Sequence, residues 1–455
     1  MNPRNSLLLT YYGDDFTGST DAMEALTRAG VPTTLFVQPP TPAQLSHYPG
    51  VRAIGVAGVS RALSPADMHR ELTPVFQQLH ALGAPLFHYK TCSTFDSSPQ
   101  IGSIGCAIDI GQEIFRSPFV PIVVGVPVLG RYVSFGNLFA RSGLDTEPFR
   151  LDRHPTMSHH PSTPMNESDL RLHLAKQTAK TNMSLFDVLQ LANEREVARH
   201  SFASLLKSQP DIVLFDTLYE EHLPVIGDLI WQHAKPEQPL FAAGSSGVEY
   251  ALTAHWREQG QLPAPPEFTA QKVEQIVVVS GSCSPVTERQ IGWALDNGFD
   301  EIALDCVRLL NEAEVDVEIE RAVRQAHQVL QVGRSPLLHT CRGPQDQRLE
   351  PTRELLEAMG GSSSQLLGAA LGKVLGAVWQ DTDLPRAVIS GGDTSSYVAR
   401  EIGIEALEMA APVAPGAPLC RITAPGRAIH GREIVFKGGQ VGKTDFFGSV
   451  LRGAA

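Results

Sequence analysis

The chain has 455 residues, of which 42% are hydrophobic and 19% are charged, and its formal net charge at pH 7 is -12. This length allows two or three domains, and the balance of apolar and charged residues is that of an ordinary globular protein with a substantial core. The negative charge argues against nucleic acid as a partner, because a phosphate backbone requires a basic surface.

The cysteines and the apolar runs predict a cytoplasmic protein. The six cysteines are dispersed and never form a CxxC pair, so we expect buried thiols in a reducing compartment instead of disulfides or a zinc site. No apolar run approaches the roughly 18 residues that cross a membrane, and no membrane partner is expected. The polar segment Met1–Ser6 leads straight into an apolar run, and we expect no secretory signal there.

Short apolar runs alternate with amphipathic segments, which predicts an α/β fold with mainly parallel sheets flanked by helices. The first strands are predicted at Leu7–Tyr11, Thr33–Val37, Val51–Ala57, Leu86–Tyr89, Val120–Gly125, Ile212–Phe215 and Leu240–Ala243, with a helix over Ser19–Ala29. The later strands are predicted at Gln275–Val279, Glu301–Leu304, Leu337–Thr340 and Ala387–Ile389, with a helix over Ser364–Trp379.

The segment Gln261–Phe268, QLPAPPEF, separates these two groups of strands. Its prolines disfavour both helix and sheet interiors, which is typical of a linker. We therefore predict two domains, residues 1–266 and residues 267–455. The segment Leu144–Ser168 is rich in Pro, His and Ser and is predicted to be irregular, either an active-site loop or an insertion.

Two polar segments follow predicted strands of the first domain. In Thr10–Asp21, the adjacent acids Asp14 and Asp15 lie at the carboxyl end of a strand, where parallel sheets bind ligands. Capping of the next helix explains these residues equally well, and Asp21 is predicted to lie in that helix's first turn. In Tyr89–Ser98, Lys90 and several short polar side chains suit a substrate with hydroxyl and carboxylate groups; a polar surface loop is the plainer interpretation.

Two strand–turn–helix segments of the second domain are typical of phosphate sites. In Val277–Ile291, Ser284 is predicted to cap a helix that starts with Pro285, which leaves backbone amides free to bind an anion. In Ala387–Glu401, two glycines allow close backbone approach, and Thr394 or Ser395 is predicted to cap the helix.

The segment Phe436–Thr444, FKGGQVGKT, is not a Walker P-loop. Lys437 stands where that pattern requires glycine, and no helix is expected after the segment. Lys437 with Gly438 and Gly439 is nevertheless suited to close over a nucleotide.

Three histidines lie in the irregular segment, at His154, His159 and His160. Nearby prolines and the lack of matched acids or cysteines argue against zinc. A donor to an anionic substrate is the better interpretation for one of them.

Five motifs in order, GDDFTGSTD, YKTCSTFDSS, SGSCSPVTERQ, SGGDTS and KGGQVG, resemble those of four-carbon acid sugar kinases over nearly the whole chain. The resemblance implies an N-terminal domain that binds the acid sugar, a C-terminal domain that binds ATP, and an active site in the interdomain cleft. It implies phosphorylation, with ATP and Mg²⁺, of a hydroxyl (the terminal one) of an acid such as threonate, erythronate, 3-oxo-tetronate or the branched 3-oxo-isoapionate.

The resemblance, together with a mechanistic hypothesis drawn from the residues themselves, assigns roles to particular residues. Asp15 or Asp14 would accept the hydroxyl proton, and Arg61 with Lys90 would pair with the substrate carboxylate. The substrate-binding set is Thr17, Asp21, Arg61, Lys90, Ser93, Thr94 and Asp96. The ATP-binding set is Ser280, Ser282, Gly391, Gly392, Asp393, Thr394, Ser395, Lys437, Gly438 and Gly439. Asp393 would reach a magnesium ion or a water in its shell, and no residue is assigned as a metal ligand.

Two other functional classes remain open from the residues. A dinucleotide-dependent oxidoreductase is disfavoured because no GxGxxG follows any predicted strand. A non-enzymatic, two-lobed binding protein would share the polar loops and the linker. The segments IGSIGCAID and RHPTMSHHPSTPM depart from the more familiar family members, which leaves the identity of the acid open. The resemblance is compatible with a homodimer.

Overall fold

The protein is described by a computed structural model that covers residues 7–142, 146–160, 162–359 and 363–453. The chain divides into two compact units: the first holds the residues up to Thr34 and Pro39–Pro266, and the second holds Leu35–Gln38 and the chain from Glu267. Residues 261–276 contain neither helix nor strand. The predicted α/β class with two domains is confirmed.

The first unit is built on a sheet whose strands are mostly parallel. Its strands are β1 (Leu9–Gly13), β2 (Thr33–Phe36), β3 (Ala53–Ala57), β4 (Leu86–Lys90), β5 (Val120–Val123), β6 (Arg131–Ser134), β7 (Asn137–Arg141), β8 (Pro148–Arg150), β9 (Met183–Phe186), β10 (Ile212–Phe215) and β11 (Leu240–Gly244). Its helices are α1 (Phe16–Arg28), α2 (Pro42–Leu45), α3 (Pro65–His80), α4 (Ile104–Phe115), α5 (Leu170–Leu174), α6 (Val188–Leu191), α7 (Arg195–Leu206), α8 (His222–Trp231) and α9 (Gly247–Glu258).

The strands of this main sheet follow the order β2-β3-β1-β4-β11-β5-β10-β9. Every residue of β1, β4 and β11 is buried, as expected where both faces of a parallel sheet are covered. The remaining three strands, β6, β7 and β8, form a small antiparallel sheet of their own.

The second unit has a mixed sheet. Its strands are β12 (Val277–Ser280), β13 (Phe299–Ala303), β14 (Ser335–His339), β15 (Arg386–Ser390), β16 (Ala406–Ala414), β17 (Ala417–Thr423) and β18 (Glu433–Lys437). Its helices are α10 (Pro285–Asp296), α11 (Cys306–Leu309), α12 (Val315–Gln331), α13 (Leu349–Met359), α14 (Ser363–Gln380), α15 (Gly392–Glu401) and α16 (Phe446–Arg452). In the order β13-β14-β12-β15-β18-β17-β16, the first five strands are parallel and the last two antiparallel.

The predicted strands begin and end within two residues of observed strands, but antiparallel elements were missed. Strands β16 and β17 form a hairpin around Pro415 and Gly416, a dipeptide that marks turns. The segment Leu144–Ser168, predicted to be irregular, includes the short strand β8 and two single-turn 3-10 helices.

Three predictions about helices are wrong: two concern where a helix starts, and one concerns whether a helix is present. Helix α1 starts at Phe16, because the Asp15 side chain accepts a hydrogen bond from Gly18 N; Asp21 therefore lies beyond the first turn. Helix α15 starts at Gly392, with Gly391 at φ 125° before it, so neither Thr394 nor Ser395 is its cap. A helix, α16, does follow the Phe436–Thr444 segment.

Candidate functional site

The first cluster of predicted site residues lies where β1 and β4 end side by side. Gly13 and Lys90 are paired across these parallel strands, and Asp14 N donates to Lys90 O at 2.9 Å. Asp14, Asp15 and Lys90 are at most 3% exposed. The interpretation of Lys90 as part of a polar surface loop is therefore wrong.

Arg61 joins the two aspartates. Its Nη2 lies 2.7 Å from Asp14 Oδ1 and 2.8 Å from Asp15 Oδ1, and its Nε lies 3.2 Å from Asp14 Oδ2. Burial raises the pKa of Asp14 above its usual value, although Arg61 opposes the shift. The same two carboxylates hold the pKa of Arg61 well above its usual range despite its burial. The guanidinium thus neutralises much of the charge of an acid pair that water does not reach.

Asp15 has a structural task as well. Its Oδ1 accepts from Gly18 N at 2.8 Å and its Oδ2 from Thr17 Oγ1 at 2.7 Å. Burial alone would raise the pKa of Asp15, but Arg61, Thr17 and further donors outweigh it and lower that pKa. A Cβ at Gly18 would lie 2.5 Å from Asp15 Oδ1 and 3.1 Å from Lys90 Nζ, so glycine is required for this close approach. Helix capping and site geometry therefore depend on the same carboxylate.

Lys90 is paired with a third acid. Its Nζ lies 3.4 Å from Asp21 Oδ2 and donates to Thr91 O at 2.9 Å. Burial alone would lower the pKa of Lys90, but Asp21, Asp14 and Asp15 raise it above its usual value. Both cations that were expected to meet a substrate carboxylate, Arg61 and Lys90, are thus engaged with carboxylates of the protein.

The polar loop after β4 continues this cluster. Ser93 is half-buried, and Thr94 and Asp96 are buried. Cys92, which the sequence analysis did not single out, has its Sγ 3.0 Å from Thr94 Oγ1. Burial, aided by Asp96, raises the pKa of the Cys92 thiol to about 11, so it is neutral at physiological pH. Its position inside the YKTCSTFDSS motif was the signal that could have found it.

In the second unit, three parallel strands end at neighbouring positions. Ser280, Ser390 and Lys437, the last residues of β12, β15 and β18, are paired across the sheet. Gly281 N donates to Ser390 O at 2.9 Å, and Gly391 N donates to Lys437 O at 2.8 Å. The three turns that follow these strands therefore lie side by side at one sheet edge. We refer to residues 281–284, 391–395 and 438–439 as the three turns.

Lys437 is the buried cation of this edge. It is 0% exposed, and its Nζ donates to Thr287 Oγ1 at 3.0 Å and to Gly438 O at 2.9 Å. Burial lowers the pKa of Lys437 to about 7. No carboxylate forms an ion pair with it within the part of the chain that the structure describes, so a phosphate would be its first anionic partner.

Further hydroxyl and amide groups lie at the same sheet edge. Ser282 Oγ lies 3.0 Å from Thr287 Oγ1, and Ser395 Oγ donates to Gly391 O at 2.7 Å. Ser284 is the N-cap of α10 with Pro285 after it, as predicted. At the start of α10, Pro285 has no N–H and Thr287 N donates to Ser284 Oγ at 3.1 Å, whereas the first amides of α15 face no helical acceptor of their own, the usual condition for binding an anion.

The remaining predicted ATP residues lie at the same edge. Ser280 and Thr394 are buried; Gly392 starts α15; Gly438 and Gly439 follow Lys437. The Asp393 side chain lies outside the described residues. Thr287 and Ser390 were not predicted; Ser390 Oγ is buried and has no partner among the described residues. The position of Thr287, three residues after the Ser284 cap, was a usable signal.

Two absences apply to the described residues only. No group of three or more His, Cys, Asp or Glu side chains within the four described ranges is arranged to hold a metal ion. In those same ranges, no helix combines the length and the apolar character needed to cross a membrane. The histidines of the irregular segment make local contacts; His154 Nδ1, for example, accepts from Thr156 N at 3.2 Å and Met157 N at 3.1 Å.

Comparison with known proteins agrees with this division of the chain. Residues 9–252 match a family model described as a sugar-binding N-terminal domain, and residues 277–447 match one described as a nucleotide-binding C-terminal domain. A 3-oxo-isoapionate kinase from Paraburkholderia graminis is 49% identical, with 98% of this chain and 94% of the relative covered. A 3-oxo-tetronate kinase from Pectobacterium atrosepticum is 28% identical, with 95% and 96% covered.

Solved structures share the fold. A protein of Salmonella typhimurium LT2 superimposes with a TM-score of 0.75 at 22% identity, covering 98% of this chain and 99% of the other. A Haemophilus influenzae protein does so with a TM-score of 0.67 at 23% identity, covering 97% and 98%. At these identities the likeness concerns the fold alone.

Proposed function

The chain belongs to the four-carbon acid sugar kinase family, and on that premise we propose that its substrate is 3-oxo-isoapionate or a similarly branched short acid sugar. It is a kinase that acts on an acid sugar. The observation that carries the choice of acid is the 49% identity to a 3-oxo-isoapionate kinase, against 28% to a 3-oxo-tetronate kinase over similar coverage. The oxidoreductase and the non-enzymatic binding protein are not retained.

On the nucleotide side, the three turns and Lys437 supply the phosphate contacts. Phosphoryl transfer depends mainly on positioning and on neutralising the charge of the transferred group. Backbone amides at the starts of α10 and α15, with Ser282 and Thr394 beside them, are suited to hold the ATP phosphates. Lys437, buried without an anionic partner among the described residues, supplies a positive charge.

Magnesium is proposed with ATP. It is usually held by one or two carboxylates together with the phosphates of the substrate, and when bound it neutralises developing charge on the phosphates. Asp393, the second residue of α15, is the carboxylate that these turns offer for the ion or for a water in its shell.

On the sugar side, Asp14 and Asp15 are the proposed bases. One of them accepts the proton of the attacking hydroxyl, and Asp14 is favoured because its pKa is raised, whereas that of Asp15 is lowered. Arg61 reduces the electrostatic repulsion between the two carboxylates. Hydrogen-bond donors and acceptors for the sugar are supplied by Thr17, Asp21, Lys90, Ser93, Thr94 and Asp96. The terminal hydroxyl is the proposed acceptor.

The proposal extends to the setting of the enzyme. We propose the cytoplasm as its compartment, since ATP is the phosphoryl donor. A homodimer is proposed on the family resemblance, and light scattering of the purified protein would test it.

A coupled assay of ADP release tests the proposed activity. Mg-ATP is supplied with 3-oxo-isoapionate, 3-oxo-tetronate, threonate or erythronate, and nuclear magnetic resonance of the product identifies the phosphorylated hydroxyl. We expect the highest kcat/KM with 3-oxo-isoapionate. Preference for an unbranched acid would overturn the choice of substrate, and no ADP release with any acid would overturn the proposal as a whole.

A further inference from the structure

The cluster around Asp14 is a poor place for a substrate carboxylate. Arg61 and Lys90 are its two cations, and they already face the three carboxylates of Asp14, Asp15 and Asp21. A fourth negative charge next to these would be repelled in a buried, weakly screened environment. An acid sugar therefore needs another cation for its carboxylate.

Arg131, the first residue of β6, offers such a cation. Its Nη1 donates to the carbonyl oxygens of Leu129 at 3.0 Å, Gly130 at 3.3 Å and Arg141 at 3.2 Å. Within the described ranges, its Nε is buried without a hydrogen-bond partner, and no residue accepts a hydrogen bond from its Nη2. One end of the guanidinium is thus fixed, while the edge that binds carboxylates through two parallel hydrogen bonds is unused.

The strand that carries Arg131 is held in place by a buried acid. The turn between β6 and β7 places Phe135 and Gly136 at positive φ, and their amides donate to Asp216 Oδ2 at 2.6 Å and Oδ1 at 2.8 Å. Asp216 is 0% exposed and follows β10 directly. Val133 and Thr217 exchange two backbone hydrogen bonds of 2.9 Å each. Arg131 therefore lies on a strand of the small sheet that is anchored to the residues following β10, which preorganises its position.

Asp96 supplies an unused acceptor near this donor. It is 8% exposed, and its Oδ1 has no partner among the described residues. Burial lowers the pKa of Arg131, while Cys92 and Asp96 are close enough to oppose that shift. Arg131 and Asp96 nevertheless form no ion pair with each other, so the buried Arg131 Nε and the buried Asp96 Oδ1 both lack a partner among the residues that the structure describes. Unpaired buried polar groups are costly unless a ligand satisfies them.

We propose that Arg131 binds the carboxylate of the acid sugar through its Nε and Nη2, and that Asp96 accepts a hydrogen bond from a hydroxyl of the same molecule. This inference rests on the proposed function, because it assumes that an acid sugar is the ligand. It assigns recognition of the acid to the β6–β8 sheet and leaves Arg61 to the two aspartates. Arg131 would then determine the preference for acids over neutral sugars.

Calorimetric titration without ATP tests the site. Arg131→Gln should weaken binding of 3-oxo-isoapionate, threonate and erythronate by roughly 10- to 100-fold, the loss expected for hydrogen bonds to a charged group. Binding of threonamide and erythronamide, which have the same shape without the charge, should change little. Arg150→Gln is the matched control, since Arg150 is an arginine of the same small sheet that pairs with Asp152 at the surface; it should bind like the wild type.

Arg131→Lys covers the case in which the glutamine variant does not fold. Lysine keeps the positive charge but cannot form the bidentate contact with a carboxylate, so we expect an intermediate loss of affinity for the acids. Wild-type acid affinity in both variants, or an equal loss for acids and amides, would overturn the assignment. Wild-type protein that binds amides as tightly as acids would also overturn it. Failure of the proposed function can be distinguished from failure of the Arg131 assignment. The first appears as absent ADP release, whereas the second appears in the separately measured binding of the acids.

Discussion

The ammonium nitrogen of Lys437 lies 3.0 Å from the hydroxyl oxygen of Thr287, and both side chains are completely buried. Its other acceptors are the carbonyl oxygens of Gly438 and Gly439. Burial lowers the pKa of Lys437 to about 7, so the free protein loses this charge as the pH rises through neutrality. A bound phosphate would favour the charged form and raise that pKa again.

Nucleotide binding should therefore take up a proton above pH 7. Between about pH 7 and the pKa of the bound state, the free lysine is mainly neutral, and affinity for ADP should fall by up to roughly tenfold per pH unit. Calorimetric titrations with ADP at pH 8, in buffers of different ionisation enthalpy, measure the uptake directly. Lys437→Met should abolish the uptake and the pH dependence. Lys443→Met, which alters an exposed lysine of the same segment, should retain both; equal uptake in all three proteins would contradict the assignment.

Replacing the proposed bases should separate chemistry from folding. Asp14→Asn should lower kcat by roughly 10²- to 10⁴-fold, because the general base is lost, with ADP affinity unchanged. Asp15→Asn preserves a good helix cap, whereas Asp15→Ala should also cost about 1 kcal/mol of unfolding free energy. Steady-state kinetics and denaturant unfolding of the three variants distinguish the effects. Wild-type kcat in both asparagine variants would remove the pair from the role of base.

Gly281→Ala should damage the nucleotide turns sterically. A Cβ at this position would lie 2.2 Å from Thr394 Oγ1, so a strand-end turn must shift. We expect ADP affinity to fall at least tenfold and unfolding free energy to drop by about 1–3 kcal/mol. Adding Thr394→Ala, which removes the obstructing oxygen, should restore part of the stability. Gly292→Ala in α10, where a Cβ would meet open space, should be neutral or slightly stabilising; if both alanine variants behave alike, the steric explanation fails.

Cys283 should be the most reactive of the six thiols. It is exposed in the turn after β12, and the neighbouring Cys341 thiol lowers its pKa below the usual value of a cysteine. At pH 7 its thiolate should react with iodoacetamide well before the thiol of the buried Cys106, whose pKa is raised by burial to about 11. Mass spectrometry of briefly labelled protein measures the extent of alkylation of both cysteines in one sample. Bound ADP should slow the alkylation of Cys283 only. Faster labelling of Cys106 would contradict the assignment.

Local patterns were sufficient for the parallel core. Strands such as β10 and β11 are continuous apolar runs bounded by turn residues, and they are buried on both faces, so composition and length identify them. Ser284 and Pro285 likewise identify the start of α10 from the sequence alone. The adjacent acids Asp14 and Asp15 identify the end of β1 as a candidate site. Of the two interpretations of Asp15, the helix cap is observed, and the role as a site residue stays a prediction.

Local patterns could not predict the contacts between segments that are distant in the sequence. Which carboxylates Arg61 meets depends on β1, β3 and β4 being neighbours, and the burial of Lys437 depends on Thr287, 150 positions away. Arg131 was not singled out in the sequence, and it is half-buried, with a buried Nε, only because the β6–β7 hairpin is anchored by Asp216. Charge pairing and desolvation are properties of three-dimensional neighbourhoods, so pKa values and unsatisfied buried groups arise only when the chain is folded.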